Sequence, residues 1–184
     1  TIEGHTDGTP TVSIQDTKGA TAGDKTVAET DGASAGTFSI STPAGLQSIS
    51  VGGTPISEAQ LLASGTTPIT LPATAEGTLI ITGYNPTTGV ISYTYDPIVK
   101  ANNPSGSDSF TITVTDDNGV TSTPDTLNIT ITDSKPVAVA DGASITEDAT
   151  PNTVSGTVLT NDTVGADTNA TPVSAANVTL NYGS

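Results

Sequence analysis

Residues 108–148 read DSFTITVTDDNGVTSTPDTLNITITDSKPVAVADGASITED, and this stretch decides the fold. Every second residue from Phe110 to Val114 is apolar, and the same alternation returns from Leu127 to Ile131. Alternation with a period of two is typical of strands that bury one face. The stretch therefore predicts two paired strands that close one domain, followed by a short junction at which another domain begins.

The composition excludes several classes of function. The 184 residues include four lysines, no arginine and nineteen acids, which gives a formal net charge of −15. Nucleic acid and anionic membrane surfaces are excluded as partners, because binding them needs Lys and Arg. Cysteine is absent and His5 is the single histidine, so thiolate sites, histidine zinc sites and catalytic triads are excluded too. We therefore expect no enzyme activity, and no apolar run approaches the ~20 residues of a membrane helix.

Short apolar runs bounded by Gly, Pro and Asn recur along the chain and predict an all-β, antiparallel β-sandwich. Strands are expected near residues 26–29, 36–41, 46–51, 68–71, 77–83, 89–96, 108–115 and 125–132. A helical turn is expected over Ser57–Ala63, capped by Ser57, with Leu61 and Leu62 packing inward. The expected core residues are Phe38, Leu46, Ile49, Val51, Leu79, Ile81, Val90, Tyr93, Phe110, Ile112, Val114, Leu127, Ile129 and Ile131.

The spacing of acids predicts a tandem repeat. Asp16, Asp24 and Asp31 stand in one register with Asp133, Asp141 and Asp148, since 133 − 16, 141 − 24 and 148 − 31 all equal 117. The alternative is chance agreement in an acid-rich chain. On this register, residues 1–15 are the last strand of an upstream repeat or a linker, residues 16–133 a complete sandwich, and residues 134–184 the first part of a following repeat. The opening TIEGHTDG also predicts a piece of a longer chain.

Carboxylates cluster where these domains are expected to meet. Calcium takes six to eight oxygens in flexible geometry, so acids from separate loops can share one ion. The sequence predicts calcium at the later junction through Asp133, Asp141, Glu147 and Asp148, with Asp116 and Asp117 as further candidate donors to it. The corresponding candidates at the earlier junction are Asp16, Asp24, Glu29 and Asp31, and a further candidate cluster contains Asn161, Asp162 and Asp167. The alternative is that these acids are solvated surface or turn residues.

Three segments resemble the tandem repeats of giant RTX-type bacterial adhesins secreted by type I systems. They are GTLIITGYNPTTGVISYTY at 77–95, DSFTITVTDDNG at 108–119 leading into ITITD at 129–133, and ITED at 145–148 through GTVLTND at 156–162. The last segment resembles the opening of a bacterial cadherin-like repeat. The resemblance implies Ig-like or cadherin-like sandwiches in series, calcium at the junctions, and export to the outer surface of a Gram-negative cell. Related repeats commonly read D-x-D-G-D where this chain has Asp-Asp-Asn-Gly-Val at 116–120, so the last acid is missing.

Two functions are compatible with these observations. The first is a structural extender of an extracellular adhesin, made rigid by calcium at its junctions and supporting cell adhesion and biofilm formation. Its partners would be neighbouring repeats, with another module of the adhesin binding the host or biofilm surface. The alternative is a sandwich that itself binds a sugar or peptide through a calcium-bridged site or a sheet edge. Tyr84, Tyr93 and Tyr95 are the only group of aromatic residues that such a site could use.

Overall fold

Strands are the main regular elements of the computed structural model, which describes residues 8–14, 24–101, 105–144, 146, 148, 150, 156, 160–163 and 165–167. Within these residues the elements follow in chain order as β1 (Thr11–Ser13), β2 (Lys25–Ala28), β3 (Ser34–Ser41), β4 (Leu46–Val51), β5 (Thr54–Ser57), α1 (Glu58–Ala63), β6 (Ile69–Thr70), β7 (Gly77–Asn85), β8 (Val90–Pro97), β9 (Gly106–Asp116) and β10 (Asp125–Thr132).

The strands form two five-stranded sheets. The first has the order β1-β3-β8-β7-β6 and the second the order β2-β10-β9-β4-β5. Strands β2 and β10 pair in parallel, whereas the other paired strands are antiparallel. The prediction of an all-β, largely antiparallel sandwich is confirmed.

Side chains from both sheets fill one core. On β9 the residues Phe110, Ile112 and Val114 are buried and alternate with less buried neighbours. The ring of Tyr95 on the first sheet meets the ring of Phe110 on the second edge-on, with centroids 6.3 Å apart. On β8 the buried positions are Ile91, Tyr93 and Tyr95, so the expected core residue Val90 was wrong and its neighbour Ile91 takes that place.

The chain enters and leaves this sandwich at opposite ends. At the leading end, Thr11 of β1 pairs with Ser41, and Leu46 at the start of β4 pairs with Asp116. At the trailing end, Ile131 of β10 pairs with Gly106 at the start of β9. Gly106 and Asp116 lie ten residues apart on one strand, roughly 33 Å at about 3.3 Å per residue. That length separates the two ends of the second sheet.

Helix α1 begins where the sequence predicted. Ser57 caps it by accepting the N–H of Gln60 at 3.3 Å, and the Gln60 side chain accepts the N–H of Ser57 at 2.9 Å. Leu61 is fully buried, as expected. Leu62 is 53% exposed, so the expectation that both leucines pack inward was wrong for the second.

Strand β1 differs from its predicted role. The repeat register made this segment equivalent to the last strand of a domain, which is β10 in this sandwich. Instead Thr11–Ser13 pairs with β3, and Val12 and Ile14 pack against the same core as the other strands. Period-two alternation shows which residues share a face, but it does not reveal which strand they pair with.

A second compact unit follows the sandwich. The first unit contains β1 to β10 and ends at Asp133, and the second contains the described residues of Lys100–Asn103 and of Ser134–Ser184. In the second unit Val137 and Thr163 form an antiparallel bridge with two backbone hydrogen bonds of 2.8 and 2.9 Å. The tandem arrangement of full repeats stays a prediction. None of the described helices is long and apolar enough to span a membrane.

Candidate metal centre

Asp116 closes the turn that follows β9 at the leading end. It is 1% exposed, and its Oδ1 accepts the backbone N–H groups of Asn118 at 3.0 Å and Val120 at 2.8 Å. Asp residues favour such turns because the short side chain reaches the backbone two to four residues on. Gly119 has φ of +80°, which this turn requires and glycine adopts without strain. The carboxylate therefore has a structural task whether or not it meets a cation.

The same carboxylate borders a shallow depression. Gly8, Thr9, Asp116, Asn118 and Val120 line this space of about 440 Å³. Both turn hydrogen bonds use Oδ1 of Asp116, so Oδ2 is the carboxylate oxygen that these two bonds leave for a cation. Hard oxygen donors of this kind suit calcium.

Asp24 fastens β2 to β10 instead of facing a junction. Its Oδ2 accepts the N–H of Asn128 at 2.7 Å, and its own N–H donates to the Asn128 carbonyl at 2.8 Å. These bonds extend the parallel ladder by one position beyond Lys25, which pairs with Ile129. Asp24 thus lies alongside the middle of β10, away from the two other described acids of its predicted set.

Those two acids, Glu29 and Asp31, lie at the trailing end with Asp133. Glu29 is 3% exposed and its N–H donates to the Thr132 carbonyl at 3.0 Å, so it directly follows β2 where Asp133 follows β10. Asp133 is half-buried, with one carboxylate oxygen enclosed. Asp31 is exposed and its Oδ2 accepts the N–H of Ala28 at 2.8 Å. The structure thus places at one end of the sandwich acids that the sequence had divided between two junctions.

The register also corrects the prediction that Asp116 and Asp117 reach the junction at Asp133. Asp116 ends β9 at the leading end, whereas Asp133 follows β10 at the trailing end, next to Gly106. Asp117 is exposed beside Asp116. A strand length of roughly 33 Å lies between the two sets of acids, far beyond the span of one calcium ion with its ligands.

In the second unit the predicted ligands are mostly exposed or engaged with the backbone. Asp141 and Asp148 are exposed, and Asp148 has a left-handed backbone with φ of 63°. Asp162 accepts the N–H of Val139 through Oδ1 at 2.7 Å, while Asp167 is half-buried. Asn161 donates from its side chain to the Ala140 carbonyl at 3.4 Å. The remaining predicted ligands, Asp16 and Glu147, lie outside the described residues.

Taken by themselves, the acids in the described part of the chain do not assemble a metal centre. No group of three or more His, Cys, Asp or Glu residues there is placed to hold an ion. Four of the predicted ligands, Asp24, Asp31, Asp116 and Asp162, each use an oxygen to accept a backbone N–H. Calcium at the junctions stays a prediction, and it needs donors beyond this set.

A polar contact that the alternation of apolar residues did not predict lies at the trailing edge of the core. Asp108 on β9 accepts the hydroxyl of Tyr95 at 2.8 Å and the hydroxyl of Thr74 at 2.6 Å through Oδ2. Burial raises the pKa of Tyr95, and the hydrogen bond to Asp108 raises it further. The period-two alternation along β9 could have predicted this contact. Asp108 lies two positions before the buried Phe110 and therefore faces the same, inward side of the strand.

The tyrosines are not an exposed aromatic surface. Tyr93 and Tyr95 are 3% and 0% exposed, and burial, with a smaller contribution from Asp24, raises the pKa of Tyr93 to about 12. Tyr84 is half-buried, and its pKa is raised by burial and by nearby Glu58. Only Tyr84 of the three therefore offers part of its ring to a ligand.

Comparison of the chain with protein-family models, curated proteins and solved structures finds no match.

Proposed function

We propose that this chain is a structural extender segment of a bacterial surface adhesin. The observation that supports it best is that the chain enters the sandwich at one end and leaves it at the other, about one strand length away. Domains with this connectivity can follow one another without folding back. Such a segment holds a distal binding module away from the cell and has neighbouring repeats as its partners, which fits a role in adhesion and biofilm formation.

Calcium at the joints is the second part of the proposal. The trailing end carries Glu29, Asp31 and Asp133, and the chain continues with Asp141, Glu147 and Asp148. With a formal net charge of −15, such acids repel one another unless a cation neutralises them. Extracellular calcium modules bind with Kd of about 10⁻⁴–10⁻³ M, so the sites would fill after export and stay empty in the cytosol.

Direct binding of a sugar or peptide is the weaker candidate. It relied on Tyr84, Tyr93 and Tyr95 as a group, and the last two are buried in the core. The extender role needs no exposed aromatic residue.

Thermal and urea unfolding of the full chain in about 5 mM calcium and in excess EDTA tests the proposal. For Kd between about 10⁻⁴ and 10⁻³ M, binding to the folded state stabilises by about 1 to 2 kcal/mol per ion. We expect Asp133→Asn to remove this gain and Glu58→Gln, on helix α1, to retain it. Equal stability in calcium and EDTA would remove calcium from the proposal, and glycan or peptide binding in an array would favour direct binding over the extender role.

A further inference from the structure

We propose that Asn118 is a site of spontaneous deamidation and that Asp116 protects it while the sandwich is folded. Among the 184 residues, Asn118 is the only asparagine followed directly by glycine. The proposal concerns the covalent chemistry of one turn, so it depends neither on calcium nor on the resemblance to adhesin repeats.

The reaction uses atoms of Asn118 and Gly119 together with water. The deprotonated backbone nitrogen of Gly119 attacks Cγ of Asn118, and the new N–Cγ bond closes a five-membered succinimide ring. The Cγ–Nδ2 bond breaks, and the departing nitrogen takes up a proton and leaves as ammonia. Water then opens the ring, at Cγ to give aspartate or at the backbone carbonyl carbon to give isoaspartate. Glycine favours the attack because it has no side chain to hinder the approach to its nitrogen.

The reacting pair lies at the exposed tip of a hairpin. Thr115 and Thr121 form the antiparallel bridge that closes this tip, and both Asn118 and Gly119 are exposed. A β-carbon at Gly119 would meet no atom within 4 Å. Water and base therefore reach the reacting atoms directly from the solvent.

Asp116 holds the nitrogen that has to react. The Gly119 N–H donates to the Asp116 carbonyl at 2.9 Å, so the proton that must leave is engaged in a hydrogen bond. On either side, the N–H groups of Asn118 and Val120 donate to Oδ1 of Asp116 at 3.0 and 2.8 Å. Three successive N–H groups thus converge on one residue that is 1% exposed. These bonds must open before the peptide unit can turn towards the Asn118 side chain, so the reaction follows local opening of the turn.

Both products weaken this turn. Aspartate at position 118 adds a carboxylate near Asp116 in a chain whose formal net charge is already −15. Isoaspartate adds one carbon to the backbone between positions 118 and 119, which shifts the N–H groups of Gly119 and Val120 relative to their acceptors. Because ammonia is lost, the change is one-way. The turn at the leading end therefore keeps a permanent chemical record of its own opening.

Mass spectrometry with fragmentation, after prolonged incubation of the full chain in mildly alkaline buffer, tests the site. In guanidinium chloride we expect position 118 to deamidate ahead of every other asparagine. Asn85 and Asn103 should stay unchanged over this time, because each precedes a proline, which has no N–H. Asn118→Gln should lose the early change, because the longer side chain closes a six-membered ring more slowly. Equally fast reaction at another asparagine, or an unchanged rate in Asn118→Gln, would overturn the assignment of the site.

The same measurement on the folded protein tests the protection. Position 118 should deamidate about a hundredfold more slowly in the folded wild type than in the unfolded chain. Asp116→Ala removes the Oδ1 acceptor of two N–H groups and should raise the folded rate about thirtyfold. Asp116→Asn keeps an oxygen at this place, so its rate should rise less than about fivefold.

Tyr95→Phe is the control for a general loss of stability. It removes one hydrogen bond to Asp108 at the trailing edge and leaves the turn intact, so the rate at position 118 should match the wild type. Equal rates in the folded and unfolded wild type would overturn the protection. Asp116→Ala reacting no faster than the wild type, or no faster than Tyr95→Phe, would overturn the role of Asp116. All samples contain EDTA, so the outcome is separate from that of the calcium test.

Discussion

Replacing Asp116 by alanine tests whether this carboxylate stabilises the sandwich through its turn. The change deprives the N–H groups of Asn118 and Val120 of their acceptor, at 3.0 and 2.8 Å. A hydrogen bond to a charged group contributes about 1.5–3 kcal/mol, so two at the lower value give about 3 kcal/mol. Both donor residues are exposed and water compensates in part, which lowers the expected loss to about 2 kcal/mol.

Urea denaturation of the full chain, followed by far-UV circular dichroism, measures this loss. Asp117→Ala is the matched control, because it removes an adjacent but exposed carboxylate and should change stability by less than about 0.5 kcal/mol. Asp116→Asn keeps an oxygen that can accept both N–H groups, so its cost should stay under about 1 kcal/mol. If Asp116→Ala cost no more than Asp117→Ala, the turn argument would be refuted.

The asparagine variant also separates the two roles of Asp116. It preserves the turn but removes the charge that would face a cation in the depression beside Gly8 and Thr9. A calcium-dependent gain in the wild type that disappears in Asp116→Asn would identify Asp116 as a ligand. A gain of unchanged size in this variant would locate calcium elsewhere, with the trailing-end acids as the remaining candidates.

Three further predictions concern the core and its turns. Tyr95→Phe removes the hydroxyl that donates to Asp108 at 2.8 Å, and urea denaturation should show a loss of about 1–2 kcal/mol; a loss near zero would contradict a stabilising bond. Because the pKa of Tyr93 is raised to about 12 from the ordinary 10, the stability from its protonated form is complete below pH 10 and lost as the pH rises towards 12. Absorbance of tyrosinate during alkaline titration checks this, and ionisation near pH 10 in the folded protein would contradict it. Gly89→Ala should lower the free energy of unfolding by ~3 kcal/mol, because the added β-carbon would collide with a backbone carbonyl. Gly119→Ala has a similar positive φ but open space around it, so it should lower the free energy of unfolding by only ~1 kcal/mol. Equal melting temperatures of the two variants would count against the collision at Gly89.

The sequence predicted most of the strands because their alternation is long enough to be unambiguous. The strands expected near 46–51, 77–83, 108–115 and 125–132 appear in the structure with small shifts at their ends. Strand β5 was missed because Pro55 stands inside it, and proline argues against a strand except at a sheet edge, where β5 lies. Val90 was expected in the core instead of Ile91 because two adjacent apolar residues do not show which of them faces inward. Tyr93 and Tyr95 decide it, because residues two and four positions apart on a strand share a face with Ile91.

The candidate site was less predictable because an Asp in a turn serves two kinds of partner equally well. Asp24, Asp31 and Asp116 were expected as calcium ligands, and each accepts a backbone N–H instead or as well. Sequence spacing also cannot show at which end of a strand pair an acid lies. That depends on strand direction, which places Asp116 and Asp133 at opposite ends.

The parallel pairing of β2 with β10 gives this sandwich a mechanical property. A pull on the chain from its two ends acts on β10 and on β1, which precedes β2 and pairs with β3. Once β1 has separated from β3, the pull draws β2 towards the leading end and β10 towards the trailing end, along the axis of both strands. The ladder from Lys25 to Ala28, extended by the Asp24 bonds to Asn128, is then loaded in shear. Its hydrogen bonds must fail together, whereas a ladder pulled open from one end fails one bond at a time. A segment under tension would therefore resist further extension through this parallel ladder after β1 has separated.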